Sequence, residues 1–356
     1  MGDDRIGSLL AATRTAEDWT PWLVLADALG ERGDPRAALV RAHHRLAEGG
    51  LPDADRDVLA NWIIATEGAS EWPNSLPKAP PGVSVRWVRG FVHQIFLRRL
   101  ADDVVAYLNA LQAHPFGRGL NHLRLMVRRP AVAAFGRLVE ARFAPHVLHW
   151  SFAQQALGPA HARVLAAALP TLRSLDVSAN ALGDGGMMTL ANTPWSDLEA
   201  LHLGSNGIGT EGIHALAAAN WPRLETLLIM AAPIGETEAT ALASAVYANH
   251  LGFLQLPNCG LGAAIEALIP APRPALHTLG LAFNALGDAG LAKLSPEQLP
   301  NLRRLAVMGN RIRDRGARHF ADQPWTTLRK VDLSQNPDIG EEARQALGTL
   351  PFEVLV

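Results

Sequence analysis

The chain has 356 residues, 48% apolar and 19% charged, with a formal net charge of −2 and one cysteine, Cys259. That length exceeds one ordinary compact core and points to several domains or to one elongated repeat array, while the apolar content excludes disorder. No uncharged apolar run approaches the roughly 18 residues of a membrane span, a lone cysteine excludes an intrachain disulfide framework or a multi-cysteine zinc site, and the balance of charge excludes a polycation. The start, Met1-Gly2-Asp3-Asp4-Arg5, is acidic and has no apolar segment of a secretory signal, so a soluble, cytoplasmic chain is expected.

Charge is unevenly spread. Residues 1–80 hold 8 basic and 13 acidic side chains, residues 81–150 hold 10 and 3, and the remainder 14 and 18. All ten basic residues of the middle block are Arg, a usage typical of a GC-rich bacterial genome. The block is read first as docking on the acidic N-terminal segment or as a solvated face. The second reading is a site for an acidic partner or phosphate, which Arg contacts bidentately.

In chain order, Ile6, Leu9 and Leu10 open one helix and Pro21–Leu29 forms a second, which Gly30-Glu31-Arg32-Gly33-Asp34-Pro35 stops. Arg36–Leu46 is an amphipathic third. The string from Leu23-Val24 and Ala26-Asp27 through Gly33-Asp34-Pro35-Arg36 resembles the repeat-companion domain of planctomycete and related bacterial proteins, although Ala28 stands where that family has Trp and Ala38 where it has Glu. The resemblance implies a small all-α module over 1–48, ahead of a repeat array and without chemistry of its own. Arg89-Gly90-Phe91-Val92 is similar to the segment that leads into the first repeat of such proteins. Between them, residues 49–89 are expected to form a helical cap (Asp53–Thr66) and a proline-rich lead-in with Pro73, Pro77, Pro80 and Pro81.

From residue 90 onward one frame recurs. It is plainest at Leu172-x-x-Leu175-x-Val177-x-x-Asn180-x-Leu182, and copies start at Val92, Leu120, Val147, Leu172, Leu198, Leu224, Leu251, Leu276, Leu302 and Leu328, spaced 25 to 28 residues apart. Each short strand alternates inward Leu with outward residues, and an Asn after it satisfies backbone groups of the turning chain. Asp184, Thr210, Asp288 and Asp314 are expected to N-cap the helices that follow. Phe352, Val354 and Val356 are expected to add a closing strand. The frame resembles the leucine-rich repeat, in the subclass of ribonuclease inhibitor and Ran GTPase-activating protein. The resemblance implies a right-handed α/β solenoid over 90–356, a horseshoe with a parallel concave sheet and outer helices.

Catalytic constellations are absent from the sequence: there is no HExxH, GxxxxGK[ST] or GxSxG, so neither catalytic residues, cofactor nor metal are expected. The adjacent His43 and His44 point apart on a helix and do not chelate. His122 and His149 share a strand position in consecutive repeats and are read as a solvated ladder ahead of a metal pair. Cys259 holds an Asn position and is read as a structural rung ahead of a reactive thiol.

Function in such an array lies on the outward strand positions. Leu228, Met230, Phe253, Gln255, Pro257, Ala306, Met308 and Arg304 form a largely apolar concave strip, in repeats where Ala232 and Cys259 replace the ladder Asn and Pro270, Pro272 and Pro274 interrupt a helix. The strip is read as a binding face for another protein, just ahead of a degenerate repeat or a surface covered by the N-terminal module or a second copy of the chain. The alternatives are a regulator of a GTPase or other enzyme, which the resemblance alone supports, and an acidic or nucleic-acid partner. That partner would bind through Arg98, Arg124, His122 and His149, with Arg86, Arg89, Arg99, Arg128 and Arg129 nearby. Nucleic acid ranks below protein, no membrane partner is expected, and self-association stays open.

Overall fold

The computed structural model describes residues 2–16, 18–68 and 76–356, so Pro73 of the proline-rich stretch lies outside the described residues. The chain divides into two units, Met1–Val127 with Ala133–Ser151 and Arg128–Val132 with Phe152–Val356.

In the first unit the periodic apolar residues build helices α1 (Gly2–Ala12), α2 (Thr20–Gly30), α3 (Arg36–Glu48) and α4 (Asp53–Gly68). Ile6, Leu10, Leu25, Leu29 and Val40 are buried in one cluster with Phe91, and Leu39, Ala42 and Ile63 in a second. Between α2 and α3, Gly33 takes φ 66° and Asp34 Oδ1 accepts from the Arg36 backbone N–H at 3.0 Å. The same carboxylate receives Arg36 Nε at 2.8 Å and Nη2 at 2.5 Å, and the guanidinium lies 3.5 Å from the Phe116 ring centre. Burial works to raise the Asp34 pKa, but the hydrogen bonds and charge of Arg36 outweigh it and hold the carboxyl below its usual value.

The structure adds a strand that the proline-rich lead-in did not announce. Strand β1 (Val83–Val88) runs antiparallel to β2 (Phe91–Leu97) around the two-residue turn Arg89-Gly90, with φ of 55° and 78°. Two positive φ angles mark a type I′ turn, whose twist matches that of the strands. Gly90 is required there for a second reason, because a Cβ would sit 2.6 Å from Arg36 Cγ. Strand β2 then pairs in parallel with β3 (His122–Leu125), and β3 with β4 (His149–Ser151), through crossovers containing α5 (Asp102–Ala113) and α6 (Val132–Val139).

The second unit repeats one strand and one helix. Strands β5 (Ser174–Asp176), β6 (Ala200–His202), β7 (Thr226–Leu228), β8 (Phe253–Gln255), β9 (Thr278–Gly280), β10 (Arg304–Ala306), β11 (Lys330–Asp332) and β12 (Glu353–Leu355) pair in parallel in chain order. The closing strand expected at Phe352–Val356 is therefore present. The helices are α7 (Pro159–Ala168), α8 (Gly183–Ala191), α9 (Thr210–Ala218), α10 (Glu236–Ala243), α11 (Ile265–Leu268), α12 (Gly287–Leu291), α13 (Asp314–Ala321) and α14 (Glu341–Gly348). Inward strand residues such as Leu175, Val177, Leu201 and Leu203 are fully buried together with helix residues such as Leu190 and Leu216. This is the α/β leucine-rich-repeat solenoid that the frame implies.

Three sets of hydrogen bonds join successive repeats of this unit. The first is the Asn ladder. Asn284 Nδ2 donates to Leu281 O of its own strand (3.0 Å) and Leu256 O of the preceding one (2.7 Å), while its Oδ1 accepts from Cys259 N (2.9 Å) and Leu261 N (3.3 Å). Asn310 and Asn336 likewise accept from the preceding repeat and donate to carbonyls on both sides, and so do Asn180 and Asn206. Cys259 Sγ donates to Ile229 O and Pro257 O, and burial raises its thiol pKa against the opposing backbone N–H groups of Ala232 and Ala231, which makes it a poor nucleophile. Ala232 has no side chain to accept from the repeat before it.

The second set corrects the capping expectation. None of α8, α9, α12 and α13 is capped by the side chain of its own N-cap residue, and the acids serve the next helix instead. Asp184 Oδ1 accepts from Gly209 N (2.6 Å) and Gly212 N (3.0 Å), Asp288 Oδ1 from Arg313 N (2.7 Å) and Asp314 Oδ1 from Gly340 N (2.5 Å). Sitting in the first helical turn, each Asp projects sideways to the neighbouring helix start, where unpaired N–H groups gather. A Cβ at Gly212 or Gly316 would lie 2.6 or 2.4 Å from the Asp184 or Asp288 Oδ1, whereas at Gly186 and Gly290 it would lie 2.9 Å from the Cβ of Leu182 or Leu286 in the same repeat. Thr210 holds the position without a carboxylate, and α10 closes its own start, with Glu238 Oε2 accepting from Gly235 N at 2.9 Å.

The third set covers helix C-termini. Trp195 Nε1 donates to Leu169 O, Trp221 Nε1 to Thr193 O and the Tyr247 hydroxyl to Leu216 O. Arg273 takes the equivalent place in the next repeat: it is buried, Nη2 donates to Ala243 O (2.9 Å) and Nη1 to Asn249 Oδ1 (2.7 Å).

The ladder predicts opposite signs for two substitutions. Asn284→Ala orphans buried backbone groups on two repeats and is expected to cost about 2–4 kcal/mol, whereas Ala232→Asn supplies the missing rung and is expected to add about 1 kcal/mol. Urea unfolding measures both, and unchanged midpoints would contradict the ladder's role.

Candidate partner-binding face

In-register parallel pairing sets each outward residue beside its counterpart. Leu228, Gln255, Gly280, Ala306 and Asp332 form one row across β7 to β11, and Thr226, Phe253, Thr278, Arg304 and Lys330 the row beside it. A third row follows from Ser205 N donating to Met230 O, Ala231 N to Pro257 O, Asn258 N to Ala282 O and Phe283 N to Met308 O. The structure therefore brings the eight strip residues together on one sheet face. Met230 and Arg304 are exposed, and Leu228, Phe253, Gln255, Pro257, Ala306 and Met308 are half-buried.

Two glycines shape this face. A Cβ at Gly204 would lie 3.1 Å from both Leu228 Cδ2 and Met230 Cβ, so these side chains lean over the bare backbone of β6's repeat. At Gly280 a Cβ would lie 3.0 Å from Gln255 Cγ. Phe283 belongs to the face and was missed by the strand-row reading: it is 45% exposed, takes φ 59°, and its ring would touch a Cβ at Gly309. It precedes Asn284, where other repeats place Gln154, Ala179, Ser205, Ala231 and Asn258, all with positive φ. Tabulating that position alone would have exposed the aromatic.

Arg86, Arg89, Arg98, Arg99 and Arg124 lie on the first unit, whereas Arg128 and Arg129 fall in the second. Arg98 donates to Ser84 Oγ at 2.7 Å, Arg99 pairs with Asp103, Arg137 with Asp102 and Arg118 with Asp4. Only the last of these reaches the acidic N-terminal segment. Arg124 is exposed and, among the described residues, in no ion pair.

Beside Arg124, His122 and His149 are paired strand neighbours whose rings stack 4.2 Å apart, and His93 lies 4.6 Å from His122 on the other side. The expected solvated ladder is corrected here, because His122 is largely desolvated and its Nδ1 is buried without a partner. Burial, then the neighbouring His149, His93 and Arg86, pull the His122 pKa down to about 3. Among the described residues no three His, Cys, Asp or Glu side chains gather as a metal site.

Because the folded pKa of about 3 lies below the ordinary 6.5, the unfolded chain binds more protons between those values. This group's contribution to stability is therefore complete above that window and lost as pH falls through it. NMR is expected to show His122 ring signals that do not move above about pH 4, and His122→Asn is expected to flatten the loss of stability with acid. A His122 titration near neutrality would overturn this.

The leucine-rich repeat family model matches residues 168–191, 196–217, 274–295 and 298–321. The unmatched stretch between the second and third segments holds Ala232, Cys259 and the shortened α11. No curated protein matches the chain. Among solved structures, one from the yeast Rad7–Elc1 complex aligns over 96% of this chain and 87% of its own, at 13% identity and a TM-score of 0.53. One from a TLR13–ssRNA13 complex aligns over 67% of this chain and 33% of its own, at 18% identity and a TM-score of 0.40. Their identities bear on fold alone, and the second score is too low to carry an argument. The matched segments, the strand-and-helix period and the Asn ladder together show a leucine-rich-repeat fold.

Proposed function

We propose that the chain is a non-enzymatic interaction module that binds another protein on the open sheet face of β7 to β10. The observation that carries this is the contiguous apolar surface of Leu228, Met230, Phe253, Pro257, Met308 and Phe283, with Arg304 and Gln255 as polar contacts. Exposed and half-buried apolar groups gathered on one sheet face favour a partner, and Met and Phe suit adaptable protein contacts. The weakened inter-repeat bonding at Ala232 and Cys259 supports the same location, since local rules tend to fail where function intervenes. We read residues 1–48 as a helical companion module, 49–89 as cap and lead-in and 90–356 as the repeat domain, in a cytoplasmic bacterial protein. Control of a GTPase or another enzyme would use the same face and rests on fold analogy alone.

The exposed, unpaired Arg124 favours a second reading, an acidic partner on the first unit beside Arg98, His122 and His149. Binding there would weaken steeply with salt, whereas binding on the apolar strip would not.

Met230→Glu combined with Met308→Glu is expected to leave the circular-dichroism spectrum and unfolding midpoint unchanged and to abolish capture of the partner from native lysate. Light scattering of both proteins tests self-association in parallel. Capture that survives the double substitution would exclude the strip.

A further inference from the structure

A cavity of about 270 Å³ opens within the first unit. It lies between the α1–α2 connection, the β1–β2 hairpin and the start of β3, and it is lined by Arg14, Asp18, Trp19, Trp22, Arg89 and Asn121, among others. Its polar groups are unusually unsatisfied. The Arg89 guanidinium stands over the rings of Trp19 and Trp22, at 4.5 and 4.3 Å from their centres, and its buried Nε has no hydrogen-bond acceptor. Asn121 is 7% exposed; its Nδ2 donates to Arg14 O at 3.3 Å, and its buried Oδ1 has no partner. Arg14 spends its Nε and Nη1 on the carbonyls of Ala11 and His146. Among the described residues neither arginine meets a carboxylate at ion-pair distance.

The cost of this arrangement is evident. Burial lowers the pKa of both arginines, which records how poorly the site solvates their charge. Buried polar groups are normally satisfied, and exceptions in native structures need a reason. The Glu67 carboxylate offsets the Arg89 charge in part, short of the effect of burial and without an ion pair: its Oε1 accepts from the Arg89 backbone N–H (2.6 Å), and Asp18 Oδ1 accepts from the Thr20 backbone N–H (2.8 Å).

We propose that this cavity binds a small oxyanion, a phosphate or carboxylate that carries a neighbouring hydroxyl or amine. The anion accepts from the Arg89 guanidinium, which Trp19 and Trp22 hold in plane by cation–π contact, and the ligand's hydroxyl or amine donates to Asn121 Oδ1. Arg14 adds positive charge at the wall. The volume suits a molecule of metabolite size rather than a chain.

The test is calorimetric titration of the full chain with inorganic phosphate and, separately, with malate, at constant ionic strength. Saturable binding of either is expected, and the stronger one identifies the anion class. Arg89→Gln is expected to weaken it by about tenfold or more, Asn121→Asp to abolish it, and Arg137→Gln, on the exposed side of α6, to leave it unchanged. Should Arg89→Gln fail to fold, the wild-type chain gives the same answer through phenylglyoxal labelling, in which the bound anion protects Arg89. No saturable binding of either anion, or binding indifferent to Arg89→Gln and without protection of Arg89, would overturn the proposal.

Discussion

The second unit depends on one requirement: a chain that leaves a strand and turns sharply buries backbone N–H and C=O groups with no strand left to pair them. The Asn side chain meets this need because it alone carries a donor pair and an acceptor on so short a stem. Asn284 and Asn310 use both functions to tie their own turn to the one before. The turn in turn forces positive φ on the residue ahead of each rung, from Gln154 through Gln335, so that ordinary side chains sit in a glycine-like conformation throughout the array.

The other inter-repeat bonds complete the logic. Asp184, Asp288 and Asp314 quiet the start of the following helix, and Trp195, Trp221, Tyr247 and Arg273 quiet the end of the preceding one. Helix dipoles and free terminal groups are thus neutralised by neighbours rather than by local caps. The stretch from Ala232 to Arg273 is where this system thins, with no Asn on the ladder, a cysteine rung, a four-residue helix and a guanidinium in place of an aromatic. The apolar strip crosses that same stretch.

The strands and their order were legible because Leu, Leu and Val at fixed offsets recur often enough to define a register without any other information. The strip followed directly, since a parallel in-register sheet converts repeat position into adjacency. Strand β1 escaped because six residues of Val-Ser-Val-Arg-Trp-Val alternate too briefly beside a proline-rich run. The Asp residues were correctly seen at helix starts, but their partners lie in the next repeat, and one-dimensional capping rules look only along the same helix. Trp195, Trp221, Tyr247 and Arg273 follow one another at equal spacing, but an arginine is ordinarily exposed, so nothing along the chain marks Arg273 as the successor of the aromatics. The cavity could not be read at all: Arg14, Arg89 and Asn121 meet only through folding.

Asn side chains reach back to the preceding turn, while Asp side chains reach forward to the next helix. Each 26-residue period is therefore held by atoms that belong to the periods on either side. Evolution by duplication could copy the sequence unit, but the smallest piece that closes all of its own hydrogen bonds is longer than that unit. The array behaves as overlapping shingles rather than beads, and any recombination that keeps it intact must splice at matching phase within the overlap.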